Sequence, residues 1–178
     1  MSPEDKKEFI ENELYHELCS LLEAAAFWNI LKKSGAGCEI SLVMESALVH
    51  ARNLFIFFAA TKNDKENDNS AKVTDFGPKR MYQSLVYSTS KEAINRHLFH
   101  LNKKRLKPTN LKGSGHINEK VDIFAEEILK LWEEFENDDG LDNTLKKIAQ
   151  EARLRALDDG RNTAGGRIAT ILDSDLTP

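Results

Sequence analysis

The chain reads as an all-α protein, an antiparallel bundle of about five helices, and three observations predict it. Apolar residues recur at steps of three and four through most of its 178 residues. Four prolines and nine glycines supply too little turn chemistry for a meander of short strands. A 40% apolar and 30% charged composition fits one soluble core with a well-charged surface.

Ser2, Pro3 and Asp5 combine an N-cap, a proline at the first helical position and a capping-box acid. Ile10, Leu14, Leu18, Leu21, Ala25 and Trp28 follow on one stripe, predicting a helix over about 3–33 that Gly35 and Gly37 stop. A second helix is expected over 39–62, its apolar residues covering more than half the circumference, as in the central helix of a bundle. Glu45, His50, Arg52 and Asn53 interrupt that run, which argues against a membrane span. Residues 63–71 read as a polar loop, and 73–88 pack without a clean period.

Thr89 followed by Glu92 reads as a capping box opening a third helix over 90–104, with Pro108 beyond it. Asn118 is placed to cap a fourth over 119–137, ended by Asp138-Asp139-Gly140. A fifth is expected over 142–158, closed by Gly160, with 161–178 as a mobile tail to a single domain of residues 1–160. The acidic start lacks a basic and apolar leader, so the expected location is cytoplasmic. Cys19 and Cys38 cannot build a disulfide framework and are expected to be reduced.

Charge is segregated. Residues 1–30 carry seven acids against two bases, a net −5; residues 91–120 carry eight bases against two acids, a net +6; residues 121–142 carry nine acids against one base, a net −8. A basic segment inside an acidic chain is a candidate phosphate surface, the intramolecular alternative being that it faces its acidic neighbours.

The polar residues set into apolar helices are the candidate functional groups. Glu45 and Arg52, seven apart, share an azimuth on the second helix, with Ser46, His50 and Asn53 on the adjoining stripe. Burying such groups requires partners, and the third helix, bearing Asn95, Arg96 and His100 beside Lys103, Lys104 and Arg105, is the expected supplier. His50, Arg52, Asn95 and His100 are therefore expected to converge. The bland counterpart is a satisfied polar network that fixes the register of two helices. His16 and His116 read as surface or loop residues, Trp28 and Trp132 as core.

The strings ESALVHARNLFIFF (45–58) and INRHLFHLNKKR (94–105) resemble a family of uncharacterised bacterial helical proteins. In that family a glutamate and a His-Ala-Arg-Asn-Leu string precede an Ile-Asn-Lys string leading to His-Leu; the likeness covers about 45–135. At greater distance the arrangement resembles HEPN domains, helical bundles that often dimerise, bind RNA and in many members cleave it without metal. The HEPN signature is an arginine and a histidine with four to six residues between them. Here Arg96 precedes His100 by one residue too few, and Asn95 has the spacing without the guanidinium.

The resemblance implies an RNA-binding or protein-interaction role, a homo-oligomer, a toxin or defence setting and no cofactor. If cleavage were retained, His100 would act as general base toward a ribose 2′-hydroxyl, Arg96 or Arg52 would stabilise charge on the phosphorane, and Asn95 would position the phosphate. Glu45, His50, Asn53 and the Lys103–Arg105 run would serve binding. A second enzymatic alternative resembles DinB-type bundles, with His50, His97, His100 and Glu45 around a metal.

Overall fold

The computed structural model describes residues 1–34, 38–59, 70–99 and 121–174, and all regular structure among them is helical. Helix α1 is a continuous rod of three stretches, α-helical Pro3–Glu8, π-helical Phe9–Leu14 and α-helical Tyr15–Ser34. Helix α2 spans Cys38–Ala59, α3 Leu85–Phe99, α4 Val121–Asn137 and α5 Asn143–Ser174, with one 3₁₀ turn at Val73–Asp75. The five-helix all-α bundle read from the periodicity is the fold observed.

The capping box at α1 forms as its residues predict: Ser2 Oγ accepts from the Asp5 N–H at 3.1 Å and the Asp5 carboxylate accepts from the Ser2 N–H at 2.9 Å. The Ile10–Trp28 stripe is buried. It packs α1 between α2 on one side and α5 on the other. Helix α2 is the central element, in contact with α1, α3 and α4. Its Phe55, Phe57 and Phe58 join Phe76, Tyr82, Phe124, Trp132 and Phe135 in an aromatic core of mostly edge-on ring pairs, a preferred arrangement of aromatic quadrupoles.

By length and composition alone Leu42–Ala59 is apolar enough to cross a membrane, with a mean hydropathy of 1.4. Glu45 and Arg52, which lie inside that window, do not by themselves exclude a span. What places α2 among its neighbours is burial: 56% of that window lies inside the bundle, and core helices share the composition of spans.

Two expected boundaries differ. Helix α3 begins at Leu85, not after Thr89. Its cap is Ser84, whose Oγ accepts from the Tyr87 N–H at 3.0 Å and donates to Glu127 of α4 at 2.6 Å. Thr89 instead folds its hydroxyl back onto the Leu85 carbonyl at 2.8 Å, so the Thr-x-x-Glu spacing is an interior coincidence.

Gly160 does not close α5, which continues through it to Ser174, so residues 161–174 are helix where the sequence reading placed a tail. A Cβ on Gly160 would stand 3.0 Å from Leu22 Cβ on α1. The glycine serves close helix packing rather than termination. The polar loop at 63–69, the Pro108 boundary, the Asn118 cap and the ends of the second and third helices beyond 59 and 99 lie outside the described residues.

The irregular stretch 73–84 packs, as expected. Val73, Phe76 and Tyr82 are buried, the Tyr82 N–H donates to the Phe58 carbonyl at 2.9 Å, and the Tyr82 hydroxyl donates to Asp138 at 3.2 Å. Burial pushes the Tyr82 phenol well above its ordinary pKa. Helices α4 and α5 are tied by Arg153, whose guanidinium grips Glu136 at 2.8 and 2.9 Å. That fork keeps the guanidinium charged. Tyr15 donates to Asp159 and lies beneath Arg155, joining α1 to α5. The Asp159 hydrogen bond raises the Tyr15 pKa to about 12.

Candidate functional site

Helix α2 carries four of the candidate residues, and its geometry separates them. Positions 50 and 52 are about 200° apart around a helix, so they face opposite flanks. On one flank stands α1. The His50 Nδ1–H donates to Glu17 Oε2 at 2.8 Å, and the Asn53 amide donates to Glu17 Oε1 at 3.1 Å. A carboxylate only accepts, so the contact assigns the proton to Nδ1. The pair is largely shielded, with side-chain exposures of 18% for His50 and 23% for Glu17. The His16 ring meets the His50 ring edge-on at 6.0 Å while itself remaining exposed, as its surface reading anticipates.

On the other flank stands α3. Arg52 donates through Nε to Asn95 Oδ1 at 2.8 Å, so α2 and α3 touch through the polar residues that required partners. Glu45 is half-buried on α2, one heptad before Arg52.

The expected convergence of His50, Arg52, Asn95 and His100 is thus resolved into two ties. Arg52 and Asn95 come together. The partner of His50 and Asn53 is Glu17 of α1, not α3. The physical reason is the 200° offset, which a single facing helix cannot bridge. The side chain of Arg96 and that of His97, together with His100, Lys103, Lys104, Arg105 and His116, lie outside the described residues.

Glu17 is the residue that the sequence reading passed over, counting it only toward the acidic surface of 1–30. Its signal was its position: three residues after Leu14 and four before Leu21, it borders the buried stripe. A carboxylate on that edge meets whatever the next helix offers.

Truncating Glu17 removes both acceptors at once. Glu17→Ala is expected to cost roughly 1–3 kcal/mol, the penalty of leaving shielded donors unpaired, and Glu17→Gln, which retains one acceptor, less. Urea titrations at unchanged m-value measure this. A Glu17→Ala midpoint equal to that of the parent chain contradicts the tie.

Among the described residues no group of three His, Cys, Asp or Glu side chains is placed to hold a metal. Cys19, half-buried beside Tyr15, is a free thiol whose pKa burial pushes up, the condition of an unreactive cysteine.

A surface groove of about 260 Å³ opens between α1 and α2, and Glu17, Arg52 and Asn53 all line it. The two polar ties therefore flank one opening. A bundle can do two things with such an arrangement: fix the register of α1, α2 and α3 through hydrogen bonds, and offer carboxylate, amide and guanidinium groups to a ligand at the rim.

Comparison with known proteins finds no family model, no curated protein and no solved structure that matches the chain.

Proposed function

We propose that this chain is a HEPN-like, RNA-binding bundle that binds without cleaving, works in the cytoplasm without metal or membrane, and self-associates. The observation that carries the reading is the net +6 of residues 91–120 within a chain of formal net charge −4. Clustered Lys and Arg neutralise phosphates and release counterions, the dominant sequence-independent contribution to nucleic-acid affinity. The segment begins on α3, and the Arg52–Asn95 hydrogen bond holds that helix in register with α2.

Binding is favoured over cleavage because two of the groups a ribonuclease would use, Arg52 and Asn95, hydrogen-bond one another. Self-association is supported by Leu42 and Val49, which lie seven apart on one face of α2 and are 69% and 40% exposed. The test is affinity for single-stranded RNA as a function of salt: steep weakening with the RNA left intact is expected, and salt-independent affinity contradicts the reading.

A further inference from the structure

Helix α3 is held to the bundle differently from its neighbours. Among its described side chains the buried apolar residues are Tyr87 and Ile94, whereas α4, of similar length, buries seven. Tyr87 stacks on Phe55 of α2 with the ring centroids 5.2 Å apart. Two polar ties add to this, Ser84 to Glu127 of α4 at 2.6 Å and Arg52 of α2 to Asn95 at 2.8 Å. Such hydrogen bonds are exchanged for bonds to water when the helices part, so each holds α3 less firmly than a large buried apolar side chain would.

Ser90 lies on the same face, three residues after Tyr87 and four before Ile94. It is 2% exposed, and its Oγ has no hydrogen-bond partner among the described residues. Its neighbour Thr89 returns a hydroxyl to the Leu85 carbonyl, and the other buried serine, Ser84, is bonded to both Glu127 and the Tyr87 N–H. A buried hydroxyl without a partner has given up its hydration and gained no bond in exchange. The docked position of α3 therefore carries a penalty that opening removes, because water then reaches Ser90.

Away from the bundle, a helix of 15 residues is marginal in water, so undocking and melting of α3 form one event. Segments with little buried apolar surface open in cooperative units at free energies below that of global unfolding. The remaining helices keep their own core: α1 packs between α2 and α5, and α4 meets α2 through Trp132 and Phe58.

We propose that α3 is a detachable element, which leaves α2 and α4 as a unit while the other four helices stay packed, and that the unpartnered Ser90 hydroxyl sets how often it does so. Opening parts Arg52 from Asn95 and uncovers the face of Phe55 that Tyr87 shields. It also moves the first residues of the basic stretch, which starts on this helix at Lys91.

The test is native-state hydrogen exchange of the whole chain at low urea, read residue by residue, on the parent, Ser90→Ala, Ser90→Cys and Glu17→Ala. Amides of residues 90–98 are expected to exchange roughly 100-fold faster than those of α1, α2 and α4, with a weaker dependence on urea. Ser90→Ala and Ser90→Cys should each slow α3 by roughly fivefold or more, by removing the unpaired hydroxyl. Cysteine has nearly the helix propensity of serine, so it separates that effect from the higher propensity of alanine. Glu17→Ala, which loosens α1 from α2, should speed exchange in those two helices and leave α3 at the parent rate. Equal rates in α3 and in α2 and α4, an α3 rate that rises with those of α1 and α2 in Glu17→Ala, or an α3 rate unmoved by Ser90→Cys overturns the proposal. No nucleic acid enters the measurement, so its outcome is independent of the RNA-binding reading.

Discussion

Gly77→Ala is expected to destabilise the fold by roughly 2–6 kcal/mol. Gly77 holds φ +138°, a conformation L side chains rarely adopt, and forcing one there costs on the order of 1–3 kcal/mol. Space adds a second penalty. A Cβ on Gly77 would run into the Gly140 carbonyl oxygen, and one on Gly140 would stand 2.6 Å from the Gly77 carbonyl oxygen. Both obstacles are backbone, so relief requires moving the 76–80 segment off the α4–α5 turn, an overpacking cost of about 1–3 kcal/mol. That movement would also pull on the Tyr82–Asp138 hydrogen bond. Against a total stability of roughly 5–15 kcal/mol the loss is large, and urea denaturation measures it. A change below about 0.5 kcal/mol, the range of ordinary surface substitutions, would contradict the close approach.

Trp132→Ala is expected to cost roughly 3–5 kcal/mol, the range for removing a buried large aromatic. The side chain is fully buried, meets the Phe58 ring at 5.8 Å and donates its indole N–H to the Ala149 carbonyl of α5 at 3.0 Å. It therefore joins α4 to both α2 and α5. Trp132→Phe separates the contributions: it keeps most of the packing and loses the hydrogen bond, so about 1–2 kcal/mol is expected. Equal losses for the two variants would place the effect in the hydrogen bond and contradict a packing role.

Much of this arrangement is legible in the residues. Ser2, Pro3 and Asp5 announce the start of α1, and the Ile10–Trp28 stripe its buried face, because capping and periodicity are local and nothing distant competes with them. Where distant contacts compete, the local signals mislead. Thr89 and Glu92 have capping-box spacing, yet Ser84, tied to Glu127 across the bundle, starts the helix. Gly160 looks like a stop and is instead the point where α5 meets Leu22.

The site followed the same division. Residue types on α2 show that His50, Arg52 and Asn53 need partners, and Asn95 is found on the expected helix. Glu17 is not, since a carboxylate in an acidic stretch carries no local mark of the helix it will face. The π turn at Phe9–Leu14 has no mark either: its residues fit an ordinary α-helical stripe.

RNA binding by the basic stretch of residues 91–120, proposed above, is read out by its salt dependence. If about five of its eight basic residues engage phosphates, the slope of log K against log salt for a single strand is about −3.5. Affinity should then fall roughly 100-fold between 50 and 200 mM salt. Replacing Lys103, Lys104 and Arg105 together by alanine should flatten that slope to about −1.5, by removing three such contacts. A parent chain whose affinity for RNA is unchanged over that range, or a triple variant with the parent's slope, would contradict the account.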